Sequence, residues 1–116
     1  MKRNIEFKDF EAPETIRKLI DRLTSKLEKK TGTFSPELVH LRLMVEQNSV
    51  RTLYNTSITL DLPGKTLAAR EEQHDMKAAI RGAFAEIQRQ LDKYKAELHR
   101  EHWKPPENVP ETPRVA

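Results

Sequence analysis

An α+β domain of order β-α-β-β-β-α, a four-stranded sheet carrying two helices on one face, is what the sequence predicts, and three observations predict it. Apolar residues recur at helical spacing in two stretches, Ile16 to Leu27 and Met76 to Leu98. The interval between them alternates apolar and polar residues with the period of half-buried strands. Turn residues cut that interval into pieces short enough to pair as hairpins. Strands in a run, with helices outside the run, place the helices on one face of an antiparallel-rich sheet.

The elements follow in order. Ile5, Phe7 and, at its end, Phe10 alternate with Glu6 and Lys8, which predicts a short first strand. Pro13 suits the first turn of a helix, where its missing N–H has no partner to lose. Ile16, Leu19, Ile20, Leu23 and Leu27 then form one stripe centred near Ile16 and Leu23, and Thr31-Gly32-Thr33 ends it with a glycine able to take positive φ. Val39, Leu41, Leu43 and Val45 alternate with His40, Arg42, Met44 and Glu46 as a second strand, closed by a turn at Gln47-Asn48-Ser49. Tyr54 to Leu62 is the third strand, Pro63-Gly64 a type II turn pair, and Thr66 to Arg70 a shorter fourth strand. Asp75 is placed to cap a long helix reaching about His102, stopped by Pro105-Pro106. Trp103 is expected to cap the core at its end. Residues 1–103 thus read as one domain and 104–116, with Pro110 and Pro113 further on, no stripe and no core residue beyond two valines, as a disordered tail.

Composition bounds what such a domain can do. Only 36% of the 116 residues are hydrophobic and 34% are charged, so the core is small and aliphatic. No apolar run exceeds three residues, against the roughly 20 a membrane helix needs, and the N-terminal segment has no apolar stretch behind its charges to serve as a secretory signal. The absence of cysteine excludes a disulfide scaffold and a thiol nucleophile and fits a reducing, cytoplasmic setting.

The net charge of +3 is small, but it is placed. At 100° per residue, Lys18, Arg22, Lys26 and Lys29 share one flank of the first helix. Glu14, Asp21 and Glu28, with Arg17 among them, share the other. Residues 13–30 sum to +3 and residues 74–104 to +2. On the long helix Lys77, Arg81, Lys95 and His99 lie to one side of the stripe, while Arg89, Lys93 and Arg100 lie outermost. Cationic helix faces either shield the flanks of a core or neutralise phosphates with release of counterions. Neither an aromatic ribonucleoprotein signature nor a GxxG clamp is present, so an RNA ligand would be read by shape and backbone.

Catalytic motifs do not assemble. His99 and His102 are one helical turn apart but lack a third metal ligand beyond nearby carboxylates. Gly64-Lys65-Thr66 matches only the end of a phosphate-binding loop, without the upstream glycine or the helix after it. No serine sits in a nucleophile motif. The expectation is a non-enzyme with no cofactor, no metal and no small-molecule substrate.

The run His74-Asp75-Met76-Lys77-Ala78-Ala79-Ile80, followed by Arg89-Gln90-Leu91-Asp92-Lys93-Tyr94-Lys95, resembles the signature of the ribosome hibernation-promoting factor family. That family includes the ribosome-associated inhibitor A proteins and also carries the label sigma-54 modulation protein. The hairpin Ile58 to Ala69, the segment Ile16 to Lys29 and the opening Asn4-Ile5-Glu6-Phe7 are similar too, so the likeness runs from about residue 4 to about residue 100.

The resemblance implies a fold like that of double-stranded RNA-binding domains. It implies a monomer off the ribosome that binds the small ribosomal subunit on ribosomal RNA, in the channel shared by tRNA and mRNA. There it would inhibit translation in stationary phase or stress. Matching the family's basic positions are Arg17, Lys26 and Lys29 in the first helix and Arg89, Lys93 and Lys95 in the second. The charge-face argument adds Lys18, Arg22 and Lys30. Lys77 stands where the family commonly has Tyr, Arg81 where it has Asp, and Glu86 where it has Lys. Lys77 and Arg81 therefore shift the expected contacts towards the helix start. The length fits a short member without the second, dimerising domain. Two rival functions remain: a general structured-RNA binder of the same fold, and a protein-interaction module acting on a sigma factor.

Overall fold

A computed structural model describes residues 1–48 and 50–102, with side chains to residue 99. Its elements are β1 (Lys2–Lys8), α1 (Glu14–Lys30), a single 3-10 turn (Pro36–Leu38), β2 (His40–Asn48), β3 (Leu53–Leu62), β4 (Lys65–Gln73) and α2 (Met76–His102). The order is the expected β-α-β-β-β-α. The sheet is mixed, in the order β1-β2-β3-β4: β1 runs parallel to β2, and the other two pairs are antiparallel. A parallel pair needs a crossover, and α1 supplies it.

One sheet face is buried because the period-two pattern puts Leu41, Leu43 and Val45 of β2 beside Ile58, Leu60 and Leu62 of β3. Both helices close over that face. Ile16, Leu19, Ile20 and Leu27 of α1 and Ile80, Phe84, Ile87 and Leu91 of α2 join the strand residues in one core cluster. The other face is polar. His40 lies half-exposed there, and Arg42 pairs with Asp61 at 2.9 Å. Among the described residues no helix is long and apolar enough to cross a membrane.

The helix ends follow their chemistry. The carboxylate of Asp75 accepts from Ala78 N–H at 3.1 Å, the expected cap of α2. Pro13 sits one position earlier than a first helical residue, as the N-cap of α1. Gly64 takes the positive φ, 83°, that its turn requires.

Several expectations are corrected. Thr31 rather than a left-handed Gly32 closes α1. Its N–H meets the carbonyls of Leu27 and Glu28, and its hydroxyl donates to Glu28 O at 2.9 Å, so the terminal carbonyls are satisfied without positive φ. Thr24, not Leu23, lies at the fully buried centre of the α1 stripe, with Leu23 only half-buried beside it. Phe10 falls outside β1, after Asp9 turns the chain with φ 69°. Gln47 and Asn48 continue β2, opposite Tyr54 and Leu53, and residues 50–52 form a turn with Thr52 at φ 54°. Finally, β4 is longer than its composition suggests: Glu71, Glu72 and Gln73 are weak strand formers, yet they pair with Thr56, Asn55 and Tyr54. Trp103 and the expected tail at 104–116 lie outside the described residues.

Candidate nucleic-acid interface

The two flanks of α1 are separated by what each one touches. Its acidic flank faces β1. Arg3 of β1 donates to Glu28 at 2.6 Å, and the Arg3 hydrogen bond holds the Glu28 carboxyl below the usual range against the opposing effect of desolvation. Arg17 and Asp21 line a groove of about 440 Å³ with Ile5 and Phe7. Within it the Arg17 guanidinium stands 5.3 Å from the centre of the Phe7 ring and donates from Nε to Ala12 O at 3.2 Å. Arg17 is thus pinned at the β1 side of the helix start.

The basic flank is turned away from β1, towards α2 and solvent. Arg22, Lys26 and Lys29 are exposed, and none has an ion-pair partner among the described residues. Lys18 is exposed beside Glu14, one turn back, at 3.7 Å. Such a pair between two solvated side chains is weak.

At the far end of α1 two of the predicted cations link the helices. Lys30 pairs with Asp92 of α2 at 3.1 Å, and Lys95 of α2 donates to the Lys30 carbonyl at 2.8 Å. Lys95 therefore serves as a cationic cap on the C-terminus of α1, where the helix dipole favours positive charge. Both lysines are half-buried, so their ammonium groups are less available than those of Lys26 or Lys29.

Along α2, Lys77, Arg81 and Lys93 are exposed and lack a carboxylate partner among the described residues. From Lys77 to Lys93 the helix rises roughly 24 Å and turns by about 160°, so its cations are spread along and around it rather than clustered. Arg89 differs. Its guanidinium grips Glu86 with two hydrogen bonds, of 3.0 and 2.6 Å. That grip, helped by Gln90, holds the half-exposed Glu86 carboxyl down at about 2 and raises Arg89 above its ordinary value.

A further cation joins this side. Lys65, at the start of β4, shares a groove with Arg89, Gln90, Lys93, Tyr94 and Glu97. Residue spacing alone does not reveal Lys65, because the β3–β4 turn meets α2 only through the fold. Tyr94 makes that meeting: its hydroxyl donates to Pro63 O at 2.9 Å, and Lys65 Nζ stands 5.8 Å from its ring centre.

The chain matches the family described as Sigma 54 modulation protein / S30EA ribosomal protein over residues 3–99. The chain belongs to that family. Two solved structures share the fold. A ribosomal subunit interface protein from Coxiella burnetii is 22% identical, with a TM-score of 0.62, over 83% of this chain and 99% of that one. The N-terminal domain of Thermus thermophilus Protein Y is 19% identical, with a TM-score of 0.67, over 81% of this chain and 99% of that one. Within this S30EA-family chain the matched span takes in α1, the β3–β4 turn and α2 as far as residue 99, and so every basic residue described above.

Proposed function

We propose that this member of the S30EA family is a non-enzymatic, cytoplasmic hibernation factor. It binds the small ribosomal subunit in the tRNA/mRNA channel, on ribosomal RNA backbone, and inhibits translation in stationary phase or stress. The observation that carries the reading is the set of exposed cations on the solvent sides of both helices that have no carboxylate partner among the described residues: Arg22, Lys26 and Lys29 on α1 and Lys77, Arg81 and Lys93 on α2. Such a surface suits a polyphosphate that is recognised by shape. Arg89 joins these contacts when a phosphate replaces Glu86. Lys18 adds charge at the margin. Lys30 and Lys95 hold α1 and α2 at a fixed spacing, and Arg17 fixes the start of α1 on β1.

Inhibition is steric in this reading: a rigid domain seated on the subunit occupies space that tRNA and mRNA need. The protein is a monomer off the ribosome. A sigma-factor-binding module would be expected to offer a contiguous apolar patch. Among the described residues the large exposed apolar ones, Leu38, Met44 and Val50, lie instead in three different places, the 3-10 turn, β2 and the turn after β2.

Sedimentation of stationary-phase lysate at low and high salt tests the proposal. The protein is expected to run with small subunits or whole ribosomes at low salt and to dissociate at high salt. Migration with neither at low salt would contradict it.

A further inference from the structure

The groove between the start of β4 and α2 has a composition that the helix-face reading does not explain. Three cations from two elements line it, Lys65 from the hairpin end and Arg89 and Lys93 from α2, around a volume of about 190 Å³. Lys65 and Lys93 have no carboxylate partner among the described residues, and Arg89 is held only by Glu86. Glu97 is the one acidic side chain in the lining. The walls are fixed rather than fluid. Tyr94 is tied to the β3–β4 turn through Pro63 O, and Gln90 donates to Ala68 O of the outer strand at 2.9 Å. Gly64 approaches so closely that a Cβ there would stand 3.2 Å from the Tyr94 hydroxyl, so the turn is seated directly on α2.

Lys65 and Lys93 carry charge with no paired carboxylate among the described residues, and Arg89 adds a third cation. Glu97 and the Glu86 that holds Arg89 offset only part of it, so the groove keeps a positive rim that an anion can enter. The volume is below the roughly 300–1,000 Å³ of sites that enclose drug-sized ligands, which suits a single phosphate group rather than a whole nucleotide.

We infer that this groove is a phosphate subsite of the RNA interface. One backbone phosphodiester enters between Lys65 and Lys93, and Arg89 exchanges Glu86 for it. The inference rests on the proposed RNA-binding function and extends it: the contact surface includes the β3–β4 hairpin, with Lys65 as a binding residue. Because Arg89 is exposed and Glu86 half-exposed, their pair is weak enough for a phosphate to take over. Glu86 then acts as a built-in competitor, releasing Arg89 only to a stronger anion.

The test uses the full chain, with thermal unfolding to confirm that each variant folds. Wild type, Lys65→Glu, Lys65→Ala, the charge-retaining Lys65→Arg and Glu86→Gln are assayed across a salt series. The targets are purified small subunits and a generic RNA duplex of about 16 base pairs. Lys65→Glu is expected to lose roughly fivefold in affinity, and its log Kd against log salt slope to fall by about one contact. Lys65→Ala should fall between it and wild type, and Lys65→Arg should match wild type. Glu86→Gln is expected to bind roughly threefold tighter, because Arg89 is released.

Equal affinity and slope for Lys65→Glu and wild type, on any target that wild type binds, would overturn the groove. Displacement of the duplex by inorganic pyrophosphate at equal phosphate concentration would overturn RNA backbone as the ligand. The two targets separate the inference from the function beneath it. A Lys65-dependent interaction with the duplex but none with the subunit leaves the groove standing and overturns the ribosomal reading. Wild type that binds neither overturns both.

Discussion

Thr24 of α1 and Thr56 of β3 are completely buried, and neither hydroxyl has a hydrogen-bond partner. Each is an orphaned polar group in an aliphatic core. Val replaces the hydroxyl by a methyl of similar size and keeps the β-branch. Thr24→Val and Thr56→Val are therefore each expected to stabilise the domain by about 1 kcal/mol, read as a higher melting temperature. A second residue-scale prediction concerns Glu86. Its carboxyl titrates at about 2 because Arg89 and then Gln90 hydrogen-bond its charged form. A depressed native pKa means the pair is fully formed above the ordinary value of 4.5 and is lost as the pH falls through about 2. An NMR titration should show that midpoint, and Arg89→Ala should return it towards 4.5. Sequence spacing places Glu86 and Arg89 one turn apart and leaves open whether they pair. It is blind to the burial of Thr24, because a threonine inside an apolar stripe reads as an interruption of the stripe.

At the scale of elements, the pattern of residues was most informative where burial is one-sided. Val39 to Val45 and Tyr54 to Leu62 alternate, and both are strands with the even-odd faces that alternation implies. Asp75 reads as an N-cap and acts as one. Legibility ends where tertiary pairing overrides composition. Glu71, Glu72 and Gln73 extend β4 only because β3 offers them partners. The end of α1 is likewise set from outside, by Lys95 reaching its last carbonyl. Lys95→Met keeps the aliphatic stem and removes this cap and its charge. It is expected to cost about 1 kcal/mol, with faster amide exchange at Thr31 to Phe34, where Arg22→Met leaves both unchanged. The outer flanks of the helices were legible as charge, because a helix wheel needs only spacing. The division of that charge into cations that face solvent and cations that brace the helices was not, since Asp92 is 62 residues from the Lys30 it holds.

For the whole molecule, a net charge of +3 understates the surface. Arg3, Lys30, Arg42 and Arg89 are spent in ion pairs with Glu28, Asp92, Asp61 and Glu86, while the outer flanks of α1 and α2 keep their cations. The sheet positions those flanks: β1 holds the acidic side of α1, β4 and the β3–β4 turn hold α2 through Gln90 and Tyr94, and the basic residues are left exposed to the proposed ribosomal partner. Binding to that partner is expected to rest on many phosphate contacts, each with a counterion to release. The affinity of the full chain for purified small ribosomal subunits, measured across a salt series for wild type and for Arg89→Glu with Lys93→Glu, tests this most directly. The account predicts a steep loss of wild-type affinity with salt, and a variant that folds normally, binds at least about tenfold more weakly and has a shallower slope. Binding that is indifferent to salt, or equal for the two proteins, would contradict it.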